Sequence, residues 1–163
     1  MKNQKGFSLV ELLVVVIIIA IIAAIAIPNL LASRRAANEA SAISSMRTLH
    51  SAQATYQATI GNNTDYAKTL AELGTAAGGN LIDPALAAAS GTNPKSGYVF
   101  TLGGANQIYC ATGAPLTQGT TGVHGFAASE RGVIYTYATG AAAVATCVAA
   151  TGVFTVGAGT PIQ

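Results

Sequence analysis

FSLVELLVVVIIIAIIAAIAI, residues Phe7 to Ile27, closed by Pro28, is the stretch that decides how this chain folds. Only Ser8 and Glu11 interrupt its apolar character, and a helix of this length would be about 31 Å long, enough to cross the hydrocarbon of a bilayer. A carboxylate inside such a segment is expensive. On insertion scales an acidic residue at membrane depth costs roughly 2.5 to 3.5 kcal/mol, so Glu11 is expected to have a partner and a purpose.

Downstream, the helical signal continues but changes character. Ala42, Met46, Leu49, Tyr56 and Ile60 recur on one face of a 3.6-residue period, while Arg34, Arg35, Asn38, Glu39, Ser41 and Arg47 keep the rest largely polar. The spacing predicts one long helix, apolar all round in its first half and amphipathic over residues 29–60. Pro28 is a site for a bend. Gly61-Asn62-Asn63 is the stop signal.

Upstream lies MKNQKG, a short hydrophilic leader with Lys2 and Lys5 that ends in Gly6. Leader and helix together resemble the class III signal of type IV prepilins and related pseudopilins. The resemblance implies a cut after Gly6 by prepilin peptidase, methylation of the new N-terminus at Phe7, and retention of the helix on the mature subunit. It places Glu11 at the fifth mature position, where the family uses a carboxylate in assembly, and Pro28 at the twenty-second. One departure is Ala20, where many members of the family carry glycine, a residue that weakens a helix by about 0.5 to 1 kcal/mol relative to alanine.

Two plainer readings explain less. An ordinary signal peptide would use Ala24-Ile25-Ala26 as its cleavage site and discard the helix, but Glu11 interrupts its core and the apolar run exceeds the usual length. A bare membrane anchor accounts for neither Gly6-Phe7 nor Glu11. Charge supports the leader: the chain has 8 Lys and Arg against 6 Asp and Glu, and without Lys2 and Lys5 the balance is 6 against 6. By the positive-inside rule the lysines hold the N-terminus in the cytoplasm and the remainder crosses the inner membrane.

The rest of the chain has room for one domain. Mean hydropathy is +0.47 and only 9% of residues are charged, a surface suited to packing against copies of itself. Cys110 and Cys147, 37 positions apart, are the only cysteines. In an oxidising compartment such a pair is most simply a disulfide, contributing about 4 kcal/mol in the chain-entropy model, and no nearby residues complete a zinc site. Many pilins carry one such bridge near the C-terminus.

From Gly61 to Gly97 a loop with short helical turns is expected, one over Lys68 to Leu73 and one at Asp83-Pro84 with Asp83 as N-cap. Gly97 to Leu102 and Gln107 to Ala111 read as a hairpin turning at Gly103-Gly104-Ala105-Asn106. Phe126 to Ser129 and Gly132 to Tyr137 flank a second turn, and Ala143 to Ala149 reads as the last core strand. The expected fold class is therefore α+β, a long N-terminal helix packed on a small antiparallel sheet. Its organisation is a leader (1–6), a membrane or filament-core segment (7–28), an amphipathic half-helix (29–60) and a β-rich head (61–163).

Signs of catalysis are thin. His50 reads as a solvated helix residue and His124 as part of a glycine-flanked turn, and neither has ligand-spaced neighbours in sequence. No catalytic site, cofactor, metal site or specific nucleic-acid partner is expected. The reading is a structural subunit that forms a helical homo-oligomer, with prepilin peptidase, the pilus assembly machinery and the inner membrane as its partners. The alternatives are a type II secretion pseudopilin, against which stand the acid-free segment Val148 to Gln163 and the cysteine pair, and a monomeric membrane-anchored binding domain.

Overall fold

A single helix, α1 (Leu9–Thr59, 51 residues), takes in the apolar and the amphipathic stretches alike. The structure is a computed structural model and describes residues 6–105, 107–138, 146–148, 153–155 and 159–162. The chain divides into two units, Met1–Arg34 and Arg35–Gln163.

In the first unit every large apolar side chain from Phe7 to Leu31 is at least 48% exposed. An uncovered apolar surface of this extent is not stable in water and requires lipid or other helices around it. The helix runs unbroken from Ala20 through Pro28 although proline brings no N–H to the ladder. Side chains bond to carbonyls on either side of it: Asn29 Nδ2 donates to Ile25 O at 3.1 Å, and Ser33 Oγ to Asn29 O at 3.0 Å.

In the second unit α1 buries Ala42, Ser45, Met46, Leu49, Ala52 and Gln53, the face that the periodicity marks out. Tyr56 is half-buried. Ile60, expected on that face, is 37% exposed, because the helix ends at Thr59 and the chain turns away. Asn62 and Asn63 adopt positive φ (49° and 58°), and the N–H groups of Gly61 and Asn63 close back on Tyr56 O and Gln57 O, each at 2.9 Å. These bonds use carbonyls the helix end would leave orphaned.

Two short helices follow, separated by a 3-10 turn at Ala76–Gly78. α2 (Leu70–Gly74) starts two residues later than expected, behind the N-cap Thr69. α3 (Pro84–Ala87) is capped by Asp83, whose Oδ1 accepts the Leu86 N–H at 2.7 Å. Both bring leucines (Leu70, Leu73, Leu86) into the core.

Seven strands lie among the described residues: β1 (Tyr98–Ala105), β2 (Ile108–Pro115), β3 (His124–Ser129), β4 (Ile134–Ala138), β5 (Thr146–Val148), β6 (Val153–Thr155) and β7 (Thr160–Ile162). The main sheet is antiparallel in the order β1-β2-β3-β4-β7, and β5 pairs with β6 apart from it. Tyr98, Phe100, Tyr109 and Phe126 meet the buried face of α1 to form the core. This is the expected α+β layout.

Three strand expectations are corrected. The first hairpin does not turn at Gly103-Gly104, because Gly103 pairs with Cys110 and Gly104 with Tyr109 inside the ladder. Gly104 is there for close approach: a Cβ on it would lie 3.2 Å from Ala67 O. Gly132 (φ 75°) belongs to the second turn, its N–H bonded to Ser129 O, so β4 begins at Ile134. Within Ala143 to Ala149, the described part is β5, which lies outside the main sheet; the fifth place is taken by β7, whose Pro161 is tolerated because β7 is an edge strand.

One contact ties α1 to the segment before β3. Glu39 accepts the N–H groups of Val123 (2.7 Å) and His124 (3.2 Å), and its other oxygen lies 3.2 Å from His124 Nδ1. One residue earlier, Asn38 Nδ2 donates to Thr121 O at 2.9 Å. Burial pushes the Glu39 carboxyl up, but the Val123 N–H together with the His124 ring and N–H outweigh it and hold it below the usual carboxylate range. A depressed carboxyl adds stability above its unfolded value, about 4.3, that is lost as pH falls through the folded value. The midpoint of thermal unfolding is therefore expected to drop more between pH 6 and pH 3 in wild type than in Glu39→Gln; equal drops would show that this contact does not carry the acid sensitivity.

Candidate functional site

Gly6 and Phe7 precede α1 in non-helical, exposed backbone, with Phe7 86% exposed. No atom lies within 4 Å of where a Cβ on Gly6 would sit. The backbone on both sides of the bond between them is exposed. Lys2 and Lys5 of the expected leader lie outside the described residues.

Ser8 begins the helix. Its Oγ accepts the Val10 N–H at 3.4 Å, its carbonyl accepts the N–H groups of Glu11 and Leu12 at 3.1 and 3.3 Å, and its own N–H donates to Glu11 Oε2 at 3.0 Å. This is a variant of the capping box, with Ser8 as N-cap accepting the N–H of the second helical residue and Glu11 at the third helical position reaching back to the Ser8 N–H. The sequence reading missed Ser8, although Ser8-Leu9-Val10-Glu11 before an apolar run is the signal for it. The box explains how a carboxylate is carried into an apolar helix: Glu11 sits in the first turn, folds back toward the N-terminus and meets the positive end of the helix dipole. Its carboxylate reaches the amide immediately after Phe7. Pro28, the other expected assembly residue, lies within α1 in the exposed apolar unit.

Cys110, on β2, is buried and disulfide-bonded. The side chain of Cys147, the chain's other cysteine, lies outside what the structure describes.

Both histidines depart from expectation. His50 is half-buried rather than solvated, and its Nδ1 hydrogen-bonds with Tyr109 Oη. His124 opens β3 and meets Glu39, far from it in sequence, at a spacing no local motif reveals. Among the described residues no group of three or more His, Cys, Asp or Glu could hold a metal ion.

The prokaryotic N-terminal methylation motif matches residues 1–27. The type IV wide pilus major component PilA4 of Thermus thermophilus is 54% identical over 39 residues, which is 24% of this chain and 30% of that relative. The match therefore spans less than a third of the relative's length. No solved structure matches the chain. The N-terminal segment of this chain is similar to that of a type IV pilus subunit and carries the methylation motif, on a long apolar helix that leads into an antiparallel sheet.

Proposed function

We propose that this chain is a structural subunit of a type IV pilus-like filament. Prepilin peptidase cuts after Gly6 and methylates Phe7. The apolar half of α1 holds the subunit in the inner membrane, N-terminus inward, until it leaves the lipid to bundle with the same segment of other copies. Arg35 onward forms the filament's outer layer, stapled by a disulfide between Cys110 and Cys147. The role is structural and non-enzymatic, as it is across the pilin family.

The observation that carries this reading is the methylation motif on a helix whose apolar side chains are exposed on every face. Such a helix has two stable surroundings, lipid and other helices, and assembly exchanges one for the other. The similarity to a pilus major component favours a pilin over a pseudopilin.

Mass spectrometry of the N-terminal peptide, on protein sheared from intact cells, tests it. A methylated Phe7 terminus, abundant in the sheared fraction, is the expected result. The same terminus found only in cell-bound material would indicate a pseudopilin, and a terminus at Ile27 would indicate an ordinary secreted protein.

A further inference from the structure

Within the second unit β2 runs along α1 toward the Arg35 end. Near the start of the strand Tyr109 meets His50, and further on a Cβ at Gly113 would lie 3.7 Å from Met46 Sδ. Past the strand, Asn38 holds Thr121, and Glu39 holds Val123 and His124. The β2–β3 loop, residues 116–123, therefore stands at the Arg35 end of the unit.

Two apolar side chains bracket this loop. Leu116 is 44% exposed and Val123 is 40% exposed. The register that pairs Gly113 with Phe126, continued by three places, sets Leu116 against Val123, so they make one patch and not two scattered spots. Between them Thr117, Gln118, Gly119 and Thr120 are exposed and carry no charge. The loop holds its own shape, with the Gly119 N–H donating to Gly122 O at 2.8 Å and the Thr121 N–H to Thr117 O at 2.9 Å. No atom of the described residues lies within 4 Å of where a Cβ on Gly119 would sit, so the tip stands clear. An uncharged tip bearing hydroxyls and an amide, beside two aliphatic side chains, suits a phospholipid surface, where apolar groups sink about 5 to 10 Å into the boundary between headgroups and acyl chains.

The chain itself brings that surface close. Leu31 ends the exposed apolar run, and Arg34 and Arg35 are the first charges after Glu11, placed where anionic headgroups attract cations. Only about 12 Å of helix rise separates Leu31 from Glu39, and headgroups reach about 5 to 7 Å beyond the hydrocarbon. We propose that Leu116 and Val123 form a lipid anchor, which rests the β2–β3 loop on the surface of the membrane holding the apolar stretch and seats the second unit there until assembly draws the subunit out. The anchor rests on the membrane placement of the apolar half of α1 given above.

The chain contains no tryptophan, so a single introduced one reports on its own surroundings. The test inserts the full chain into phospholipid vesicles as four separate variants, Leu116→Trp, Val123→Trp, Ile108→Trp and Ile19→Trp. Ile108 is 39% exposed at the other end of β2, and Ile19 lies within the apolar stretch. Emission from Leu116→Trp and Val123→Trp is expected to shift to the blue and to lose about half its intensity to lipids brominated near the headgroups, where indoles settle, while Ile108→Trp keeps the emission of a water-exposed indole. Equal behaviour of these three, quenched or unquenched, would overturn the anchor, and Ile19→Trp quenched by deeply brominated lipid would show the membrane reading intact in that case. An unquenched Ile19→Trp would remove the membrane reading and the anchor with it. Blue shifts that grow with protein density and ignore brominated lipid would put a second copy on the patch and also overturn the anchor. Because an indole favours interfaces on its own account, wild type is compared with the double variant Leu116→Ser, Val123→Ser by amide hydrogen exchange in the same vesicles. The Thr120 and Thr121 amides are expected to exchange about tenfold faster in the double variant, and equal rates would sink the proposal.

Discussion

Replacing Glu11 by alanine or by glutamine is expected to lower the yield of sheared filament about a hundredfold while the subunit remains in the membrane. The two variants separate the use the structure shows for this carboxylate from the one proposed for it. As the third residue of a capping box it accepts the Ser8 N–H, and a glutamine at that position serves nearly as well. As the proposed partner of the ammonium that cleavage after Gly6 would create at Phe7, it needs its charge. In the dry core of a helical bundle, removing one member of an ion pair leaves the other charge buried and unpaired, at a cost of about 3 to 5 kcal/mol. Every 1.4 kcal/mol is a factor of ten in an equilibrium, so the lower part of that range already accounts for the expected loss. Filament recovered from Glu11→Gln at wild-type levels, with none from Glu11→Ala, would mean that the helix start alone matters and that assembly does not read the charge.

What the sequence made legible followed from strong periodic signals. The apolar stretch and its amphipathic continuation define α1 to within two residues at its start and one at its end. The face bearing Ala42, Met46 and Leu49 is the buried one. Asp83-Pro84 marks a helix start wherever it is followed by good helix formers, and it does so here. The misreadings arose where one residue type serves two purposes. Glycine allows a turn, but it also allows a neighbouring backbone to come close, and at Gly104 the neighbour is Ala67, reachable only through the fold. β7 is three residues long and contains Pro161, so it lacks the alternation that identifies a strand and exists because β4 offers it an edge. The contacts of Glu39 with His124 and of His50 with Tyr109 bridge 85 and 59 positions, beyond any local motif. Ser8 was the exception. Its cap is written in four consecutive residues, Ser8 to Glu11, at the edge of an apolar run whose own signal is far stronger.

Gln53→Ala is expected to destabilise the second unit by about 3 to 5 kcal/mol, a large share of the roughly 5 to 15 kcal/mol that holds a typical domain together. Gln53 stands on the core face of α1 and is fully buried. Its Nε2 donates to Ala67 O at 2.8 Å and its Oε1 accepts the Ala67 N–H at 2.9 Å, so one side chain satisfies both backbone groups of a buried loop residue. Each group left unpaired costs about 1 to 3 kcal/mol, and truncation adds a cavity. Gln53→Leu keeps most of the volume while still orphaning both groups of Ala67, so it is expected to destabilise nearly as much as alanine. Urea unfolding of the full chain in detergent, followed by tyrosine fluorescence, measures both. Near-wild-type stability for the leucine variant would mean that the site needs only bulk. The loop also bears on the aromatic cluster, because Tyr66, next in sequence to Ala67, packs its ring on Tyr109. Releasing Ala67 therefore loosens the packing around Tyr109 as well, and the near-UV dichroism of the tyrosines is expected to weaken in both variants before global unfolding begins.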